Sequence, residues 1–246
     1  KKKKKGDKGL YQRYEPLVPH LRSLHDLFRV LKKARAKRGA IEFETQENKF
    51  IFNAQRKIDH VVAVERNDAH KMIEECMILA NVSAAMILQK YEAEALYRVH
   101  DKPDADRLMS FLGYLAEVGI PHGIGNDPVP ADISNVVNKV AGRPDQELIQ
   151  TMLLRSMKQA IYDRENIGHF GLALEAYAHF TSPIRRYPDL VVHRAIKGVL
   201  DKQSKRKSSS GGKAYSSEEV QQLGEQCSMT ERRADDATRD VAFFFF

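Results

Sequence analysis

The sequence predicts an α+β fold in which several long helices pack with a mixed or antiparallel sheet. In several long stretches, apolar residues recur every three or four positions, which is the period of an amphipathic helix. Short segments between residues 41 and 64 instead alternate apolar and polar residues, as half-buried strands do. Gly-rich and Pro-rich stretches separate the two kinds of element. With 246 residues, the chain is long enough to form one large domain or part of one.

The first predicted helix covers about residues 14–38 and ends at Gly39, a residue type that suits the left-handed conformation of many helix C-termini. Its apolar positions are Leu17, Leu21, Leu24, Phe28 and Leu31. Three alternating segments follow and predict an antiparallel set of strands separated by short polar turns: 41–44, 50–52 and 58–64.

A long helix is predicted over about residues 68–91, near the centre of the fold, because small residues such as Ala80 and Ala84 allow close packing. A strand at 95–99 and a helix at 104–118 come next. The following segments are predicted as a Gly-rich and Pro-rich loop and two helices: 119–132, 133–140 and 145–160.

The C-terminal third begins with a predicted buried strand at 168–174. Ser182 and Pro183 are typical of an N-cap and a first helical residue, so we expect a helix to begin there. Pro188 predicts that this helix kinks or restarts before it continues to about residue 200. The last two segments are predicted as a mobile polar linker and a final helix: 202–217 and 217–241.

The formal net charge of +7 suits a partner that carries phosphates. Five of the positive charges belong to the lysine run at 1–5, and without it the balance is +2 (7 minus 5). Any basic surface must therefore come from local clustering. We expect the lysine run at 1–5 and the phenylalanine run at 243–246 to be non-native or placeholder ends without functional meaning.

Cysteine content and hydropathy predict a soluble cytoplasmic protein with reduced thiols. Cys76 and Cys227 lie far apart and offer neither a disulfide framework nor the spacing of metal ligands. No uninterrupted apolar run approaches the roughly 18 residues that a membrane span requires, and no secretory signal is evident. We therefore expect no membrane association.

Arg185 and Arg186 stand where the helix after Ser182 is expected to begin. The N-terminus of a helix carries partial positive charge and unpaired N–H groups, so two cations there are unfavourable without an anion. A phosphate can accept hydrogen bonds from both the N–H groups and the guanidinium groups. The alternative is that both arginines are solvated surface residues.

The sequence segments around these arginines resemble those of a known protein family. The resemblance is carried by GHFGLAL at 168–174, YAHFTSPIRRY at 177–187 and His193-Arg194, and further by RNDAH at 66–70, EECMILAN at 74–81, HDKP at 100–103 and ERRAD at 231–235. These segments resemble the signature of the RNase II/RNase R exoribonuclease family. The similarity covers the chain from about Gly9 to Ala242. It implies that residues 6–242 are the C-terminal, major part of an incomplete RNB-type catalytic domain.

The resemblance implies processive hydrolysis of single-stranded RNA from its 3′ end, with release of nucleoside 5′-monophosphates. Members of the family hold a divalent metal, usually Mg²⁺, with a cluster of aspartates that this sequence lacks. We expect the Mg²⁺ ligands outside this chain and the chain alone to be inactive. No metal ligand is assigned here: Asp104 and Asp106 match no metal-binding part of the family, and Asp235 and Asp236 are expected on the polar face of a helix.

The resemblance assigns the catalytic role to Arg185, which matches the family arginine that reaches the scissile phosphate. Its fork of donors favours the more negative transition state. For Arg186, a salt bridge or a contact with a neighbouring phosphate is equally open. Tyr177, His179 and Ser182 precede the arginines and are predicted to bind RNA by hydrogen bonds or stacking. For His179 the alternative is a structural hydrogen bond that holds the turn.

Glu74 and Glu75 lie inside an otherwise apolar helix, where a buried carboxylate is unfavourable unless it is paired. The family has a glutamate in this motif that contacts the ribose of the terminal nucleotide, and Glu75 is favoured over Glu74. The alternative is a pair with an arginine or lysine of a neighbouring element. Arg98 and His100, at a predicted strand end, are expected to contact the RNA backbone, or to form an ordinary solvated strand end.

The partner implied by the resemblance is the 3′ end of single-stranded RNA, with ribosomal or structured RNA as further candidates. The family commonly acts as a monomer. The missing aspartates motivate a second hypothesis, in which the chain is a catalytically inactive RNA-binding or regulatory module.

Overall fold

A computed structural model describes residues 8–43, 47–64, 66–125, 127–204 and 211–245. Within these ranges, the helices are α1 Lys8–Arg13, α2 Val18–Arg38, α3 Asp68–Lys90, α4 Ala105–Glu117, α5 Pro130–Val140, α6 Gln146–Ser156, α7 Tyr187–Ser204 and α8 Ser217–Phe245. The strands are β1 Glu47–Phe52, β2 Ile58–Val64, β3 Tyr97–Val99 and β4 Ile161–Asp163. The predicted α+β class is confirmed. The described strands form two separate antiparallel pairs, β1–β2 and β3–β4.

Helix α2 ends at Gly39, as predicted. This glycine adopts φ 75°, and a Cβ there would lie 2.7 Å from Ala131. The apolar face of the helix is buried less than its pattern suggests, because Phe28 is its one buried residue. Leu17, Leu21 and Leu24 in the N-terminal half are exposed.

Strands β1 and β2 pair with Phe50 opposite Val61, which confirms the antiparallel arrangement predicted for 50–52 and 58–64. The prediction of a strand at 41–44 is wrong for residues 41–43, which are irregular. The N–H of Ile41 donates to the carbonyl of Gly171 instead of a neighbouring strand. Residue 44 lies outside the described residues.

Helix α3 begins after the N-cap Asn67, whose side chain accepts from the N–H groups of Ala69 and His70. By length and composition α3 is able to cross a membrane, contrary to the expectation that no segment qualifies. In the fold its residues Ala84 and Leu88 are buried in a core cluster. Helix α3 therefore contributes one face to the core, in contact with α2 and α7.

Two apolar clusters form the core. The first, which we call the α3–α7–α8 region, joins these helices to β3 and β4 and includes Leu88, Leu96, Val99, Val191, Val192 and Val220. The second, the α4–α6 region, joins three short helices and includes Leu115, Ile133, Val136, Val140, Ile149 and Leu153. Helices α4, α5 and α6 confirm three predicted helices, although α5 begins at Pro130 and α6 ends at Ser156.

The predicted strand at 168–174 is wrong. Phe170–Leu172 is a short 3₁₀ helix, and positive φ values of 80° at Gly168 and 52° at Ala173 are incompatible with an extended strand. His169 and Leu174 form an isolated bridge that closes the segment on itself. The segment is therefore a tight loop.

The predicted helix start at Ser182-Pro183 is also wrong, because α7 begins at Tyr187. Residues 183–185 form a turn, and the carbonyl of Ser182 accepts from the N–H groups of Arg185 and Arg186. In a helix that began at Pro183, Pro188 would occupy the interior, remove a hydrogen bond and clash with the preceding turn. At the second position of α7 it fits without that penalty.

The segment between α7 and α8 is shorter than the linker predicted at 202–217. Helix α7 extends to Ser204, residues 205–210 lie outside the described part, and Ser217 begins α8. Residues 211–216 pack against α7: the N–H of Lys213 donates to the carbonyl of Arg194, and Tyr215 is buried. The lysine run at 1–5 lies outside the described residues, whereas residues 243–245 continue α8.

Candidate nucleic-acid interface

The two arginines before α7 have different surroundings. Arg185 is exposed, and within the described residues its guanidinium makes neither a hydrogen bond nor an ion pair. The neighbouring Ile184 is fully exposed at the tip of the turn. Arg186 is half-buried and donates to Asp189 at 2.7 Å, so the salt bridge considered for Arg186 is present. Of the pair, Arg185 is the one free to meet a phosphate.

Asn81 of α3 fixes the segment that leads to these arginines. Its side-chain oxygen accepts from the backbone N–H groups of Phe180 (3.0 Å) and Thr181 (3.2 Å). Its amide nitrogen donates to the hydroxyl of Tyr177 at 2.9 Å. Asn81 is buried, so these three bonds tie residues 177–181 to the centre of the fold.

His179 makes a hydrogen bond inside the protein, of the kind considered as the alternative for it. Its Nδ1 pairs with the hydroxyl of Tyr162 at 2.9 Å, and its ring lies against the rings of Tyr162 and Tyr177. Burial lowers the pKa of His179 to about 2, and the positive charges of Arg186 and Arg98 act in the same direction. Burial also raises the pKa of Tyr162 to about 12. Both rings are therefore neutral near pH 7.

Tyr177, which is buried, lies between His179 and His169. Burial raises the pKa of Tyr177 and lowers the pKa of His169 to about 3. The ring of His169 in turn contacts His100. The rings from Tyr162 to His100 thus form a continuous row of neutral side chains.

Arg98 and His100, both predicted to contact RNA, have partners inside the protein. Arg98 donates to both carboxylate oxygens of Glu231 at 2.6 and 3.1 Å, and its guanidinium lies 4.6 Å from the ring centroid of Tyr162. Nδ1 of His100 accepts from the N–H of Gly171, so Nε2 donates to the carbonyl of Lys158 at 2.7 Å. Burial lowers the pKa of His100. These contacts join β3 to neighbouring elements.

Glu74 and Glu75 both pair with arginines, which is the alternative considered for them. Glu75 is buried and accepts from Arg35 of α2 at 2.7 Å. Glu74 is paired with Arg35 at 3.4 Å and with Arg66. A contact between Glu75 and ribose stays a prediction.

A cavity of about 430 Å³ lies between α3 and the arginine turn. Its wall is mostly apolar and includes Ile73, Met77 and Ile78. Its polar side chains are His70, Glu74, Asn81, Tyr177 and Arg186, so it brings together three of the predicted RNA-binding residues, Glu74, Tyr177 and Arg186. Glu75, Arg98, His100 and His179 do not line it. A mostly apolar cavity with a few polar groups is typical of a small-ligand site.

The described residues do not fit a Mg²⁺ site. They contain no group of three or more His, Cys, Asp or Glu side chains placed to hold a metal ion. Asp104 caps α4 by accepting from the N–H of Arg107, and Asp236 pairs with Arg239 at an exposed part of α8.

The sequence interpretation missed two buried polar residues that hold the arginine turn, Asn81 and Asp189. Ser182, which is predicted to bind RNA, donates its backbone N–H to Asp189 at 2.7 Å. Asn81 ends the quoted segment 74–81, and Asp189 lies two residues after the quoted segment 177–187. For Asn81, a polar residue inside an apolar helical pattern was the available signal.

Comparison with known proteins identifies the family to which this chain belongs. The model of the RNB domain family matches residues 1–202, and the chain belongs to this family. Ribonuclease R of Escherichia coli strain K12 is 59% identical over 240 residues, which are 96% of this chain and 30% of that protein. The chain therefore spans about 30% of the length of this curated relative.

Two solved structures extend the comparison. Mycoplasma genitalium RNase R in complex with ribose methylated single-stranded RNA has the same fold, with a TM-score of 0.85 and 24% identity over 94% of this chain and 36% of that one. Yeast Ssd1, described as a pseudonuclease, aligns over 66% of this chain and 20% of its own, with a TM-score of 0.56 and 26% identity.

Proposed function

We propose that this chain is the RNA-holding part of the catalytic domain of a 3′-to-5′ exoribonuclease that hydrolyses single-stranded RNA to nucleoside 5′-monophosphates. The proposal assigns the phosphate contact to Arg185 and the metal chemistry to Mg²⁺ held by carboxylates outside the described residues. Its support is membership of the RNB family together with the similarity to ribonuclease R. We further propose a monomeric protein, as the resemblance implies, and a cytoplasmic location, as the cysteine content indicates.

The observation that carries the proposal is the unpaired, exposed guanidinium of Arg185 at the tip of a rigid turn. The turn is fixed by Asn81 on one side and by Asp189 on the other. A fixed fork of donors stabilises a phosphate best when negative charge grows on it, which is the situation in the transition state of phosphodiester hydrolysis. Arg185 is therefore expected to act on the rate more than on RNA affinity.

The neighbouring cavity supports a site for the terminal nucleotide. Glu74 and the hydroxyl-bearing Tyr177 both line it. A carboxylate that accepts from a 2′-hydroxyl favours RNA over DNA. Because Glu74 lines the cavity and Glu75 does not, Glu74 is the glutamate that fits this role better, in contrast to the preference derived from the sequence.

A second candidate function is a catalytically inactive RNA-binding module. The similarity to yeast Ssd1, a pseudonuclease, favours it, because that protein shares the fold at 26% identity. The two candidates differ in whether RNA bound at the arginine turn is hydrolysed.

The test is a time course of RNA degradation by the longest native polypeptide that contains this chain. The substrate is a single-stranded RNA labelled at its 5′ end, incubated with Mg²⁺ or with EDTA. We expect stepwise shortening from the 3′ end only with Mg²⁺. Arg185→Ala is expected to slow the reaction by about 100-fold or more, with a much smaller change in the RNA dissociation constant.

Arg155→Ala is the matched control, because Arg155 is exposed at the end of α6 in the other core region. It should degrade RNA at the wild-type rate. Near wild-type turnover in Arg185→Ala would contradict the catalytic assignment. RNA binding without any Mg²⁺-dependent shortening would instead favour the inactive binding module.

A further inference from the structure

Asp189 connects both ends of the turn that presents Arg185. It is the third residue of α7 and is fully buried, with 0% of its surface exposed. Its Oδ1 accepts from the backbone N–H of Ser182 at 2.7 Å and from the guanidinium of Arg186 at 2.7 Å. One carboxylate oxygen therefore closes a loop of eight residues, 182–189.

The backbone of Ser182 is held from both sides. Its N–H is bound by Asp189, and its carbonyl accepts from the N–H groups of Arg185 (3.2 Å) and Arg186 (3.0 Å). The position of the Arg185 backbone thus depends on Ser182, and the position of Ser182 depends on Asp189.

The charges at the start of α7 explain why an aspartate is needed there. Arg185, Arg186 and the positive end of the helix dipole lie together, which is unfavourable without a negative group. The carboxylate of Asp189 lies in the first helical turn and neutralises Arg186. The remaining net positive charge is that of Arg185, which is exposed.

Two buried polar atoms make this arrangement unfavourable for the stability of the fold. Oδ2 of Asp189 and Nε of Arg186 are buried and have no hydrogen-bond partner among the described residues. Buried polar groups are normally satisfied, so an incompletely bonded pair is not explained by stability alone. Positioning of the turn is a function that accounts for it.

We propose that Asp189 is a positioning residue: it keeps the guanidinium of Arg186 from contacting a phosphate and fixes the turn so that Arg185 alone meets the scissile phosphate. This inference rests on the proposed exoribonuclease function. It assigns opposite roles to two adjacent arginines, one toward the substrate and one toward the protein.

The experiment compares Asp189→Asn and Arg186→Gln in the longest native polypeptide that contains this chain. Asparagine retains an oxygen for the N–H of Ser182 but loses the charge that holds Arg186. Single-turnover degradation of a saturating single-stranded RNA is expected to slow by about 10-fold or more in Asp189→Asn, because small displacements of a catalytic group reduce the rate strongly.

A second readout separates positioning from a general structural role. The RNA dissociation constant is measured in EDTA at several KCl concentrations, since each phosphate contact in single-stranded RNA contributes about 0.7 to the slope of log affinity against log salt. Asp189→Asn is expected to steepen the slope by about 0.7, because the released Arg186 gains a phosphate contact. Arg186→Gln is expected to leave the slope unchanged, and the double variant to have the wild-type slope.

Asp106→Asn is the control, since it removes an exposed aspartate from the first turn of α4 and should change neither the rate nor the slope. A decrease of about 0.7 in the slope of Arg186→Gln would overturn the proposal, because Arg186 would then contact RNA in the wild type. A full rate in Asp189→Asn, or a slow rate with an unchanged slope, would also overturn it. If Asp189→Asn does not fold, the slope of Arg186→Gln still decides.

The same measurements distinguish this inference from the proposed function. If Arg185→Ala degrades RNA as fast as wild type, or if wild type degrades none, the proposed function fails. If Arg185→Ala is slow and Asp189→Asn is fast, the function stands and only the positioning role of Asp189 is lost.

Discussion

The α4–α6 region and the α3–α7–α8 region bury apolar side chains equally well but differ in their buried polar groups. Leu115 in the first and Leu88 in the second are both fully buried. In the α4–α6 region, the hydroxyl of buried Ser156 bonds to the carbonyl of Leu153 in the same helix. In the α3–α7–α8 region, buried Asn81 bonds to residues 96 to 100 positions away.

This difference indicates that the two regions specify structure by different means. Apolar packing between adjacent helices is sufficient to fix the α4–α6 region. The α3–α7–α8 region adds hydrogen bonds between distant segments, because a loop without regular structure has to be held at a defined place. The first region is expected to respond to changes of volume, and the second also to changes of protonation and hydrogen bonding.

The largest expected effect is on the α4–α6 region. Leu115→Ala should lower the free energy of unfolding by about 3.5 kcal/mol, because it removes a fully buried side chain and leaves a cavity. Urea denaturation measures the loss. Leu148→Ala, at an exposed position of α6, is the control and should change the free energy of unfolding by less than about 0.5 kcal/mol.

The comparison also predicts that Leu115→Ala leaves the rate of RNA degradation per folded molecule unchanged. A rate that falls with Leu115→Ala, well below its unfolding temperature, would show that the two regions are coupled.

The second effect is a loss of stability at mildly acidic pH that arises in the α3–α7–α8 region. Burial holds the pKa of His169 at about 3 and that of His179 at about 2. An unfolded histidine has a pKa of about 6.5, so below that pH the unfolded chain binds protons that the folded chain does not. Stability is therefore full above pH 6.5 and decreases as the pH falls toward 3.

The expected decrease between pH 7.5 and pH 5.5 is about 1.4 kcal/mol for each histidine, or roughly 2.5 kcal/mol for both. Denaturation curves at the two pH values measure it. His179→Gln should halve the decrease, whereas His20→Gln, which changes an exposed histidine of α2, should not alter it. Equal stability at both pH values would contradict the buried, neutral state of these rings.

Local sequence signals were sufficient where one element carries its own boundaries. Helix α3 was predicted at 68–91 and is observed at Asp68–Lys90, because an N-cap residue and a clear helical period mark it. Gly39 likewise ends α2 by its own conformational preference. The antiparallel pairing of β1 and β2 followed from alternation and a short connection.

The start of α7 was beyond such signals, because Ser182-Pro183 and Tyr187-Pro188 are both acceptable helix starts. The observed start at Tyr187 is accompanied by a hydrogen bond from the backbone N–H of Ser182 to the side chain of Asp189. The sequence also did not show which residues the candidate site residues pair with. Glu75 meets Arg35 at a separation of 40 residues, and Arg98 meets Glu231 at 133. The sequence identified charged residues for the proposed RNA site but not which of them pair with other residues of the protein.

The smallest of the three effects on stability is expected at Asn81. Asn81→Ala removes three hydrogen bonds and leaves the N–H groups of Phe180 and Thr181 without their acceptor. An unsatisfied buried donor is unfavourable by about 1–3 kcal/mol, and the adjoining cavity admits water that recovers part of this, so we expect a loss of about 2 kcal/mol. Urea denaturation measures it.

Ser83→Ala is the matched control on the same helix, because Ser83 is exposed and its hydroxyl bonds only within α3. Unlike Leu115→Ala, Asn81→Ala should slow RNA degradation more than its loss of stability explains, since residues 177–181 lead directly to Arg185. A variant that loses about 2 kcal/mol of stability but keeps the wild-type rate would mean that the turn is held by Asp189 without help from α3. In that case the bond from Ser182 to Asp189, and not the bonds to Asn81, determines the position of Arg185.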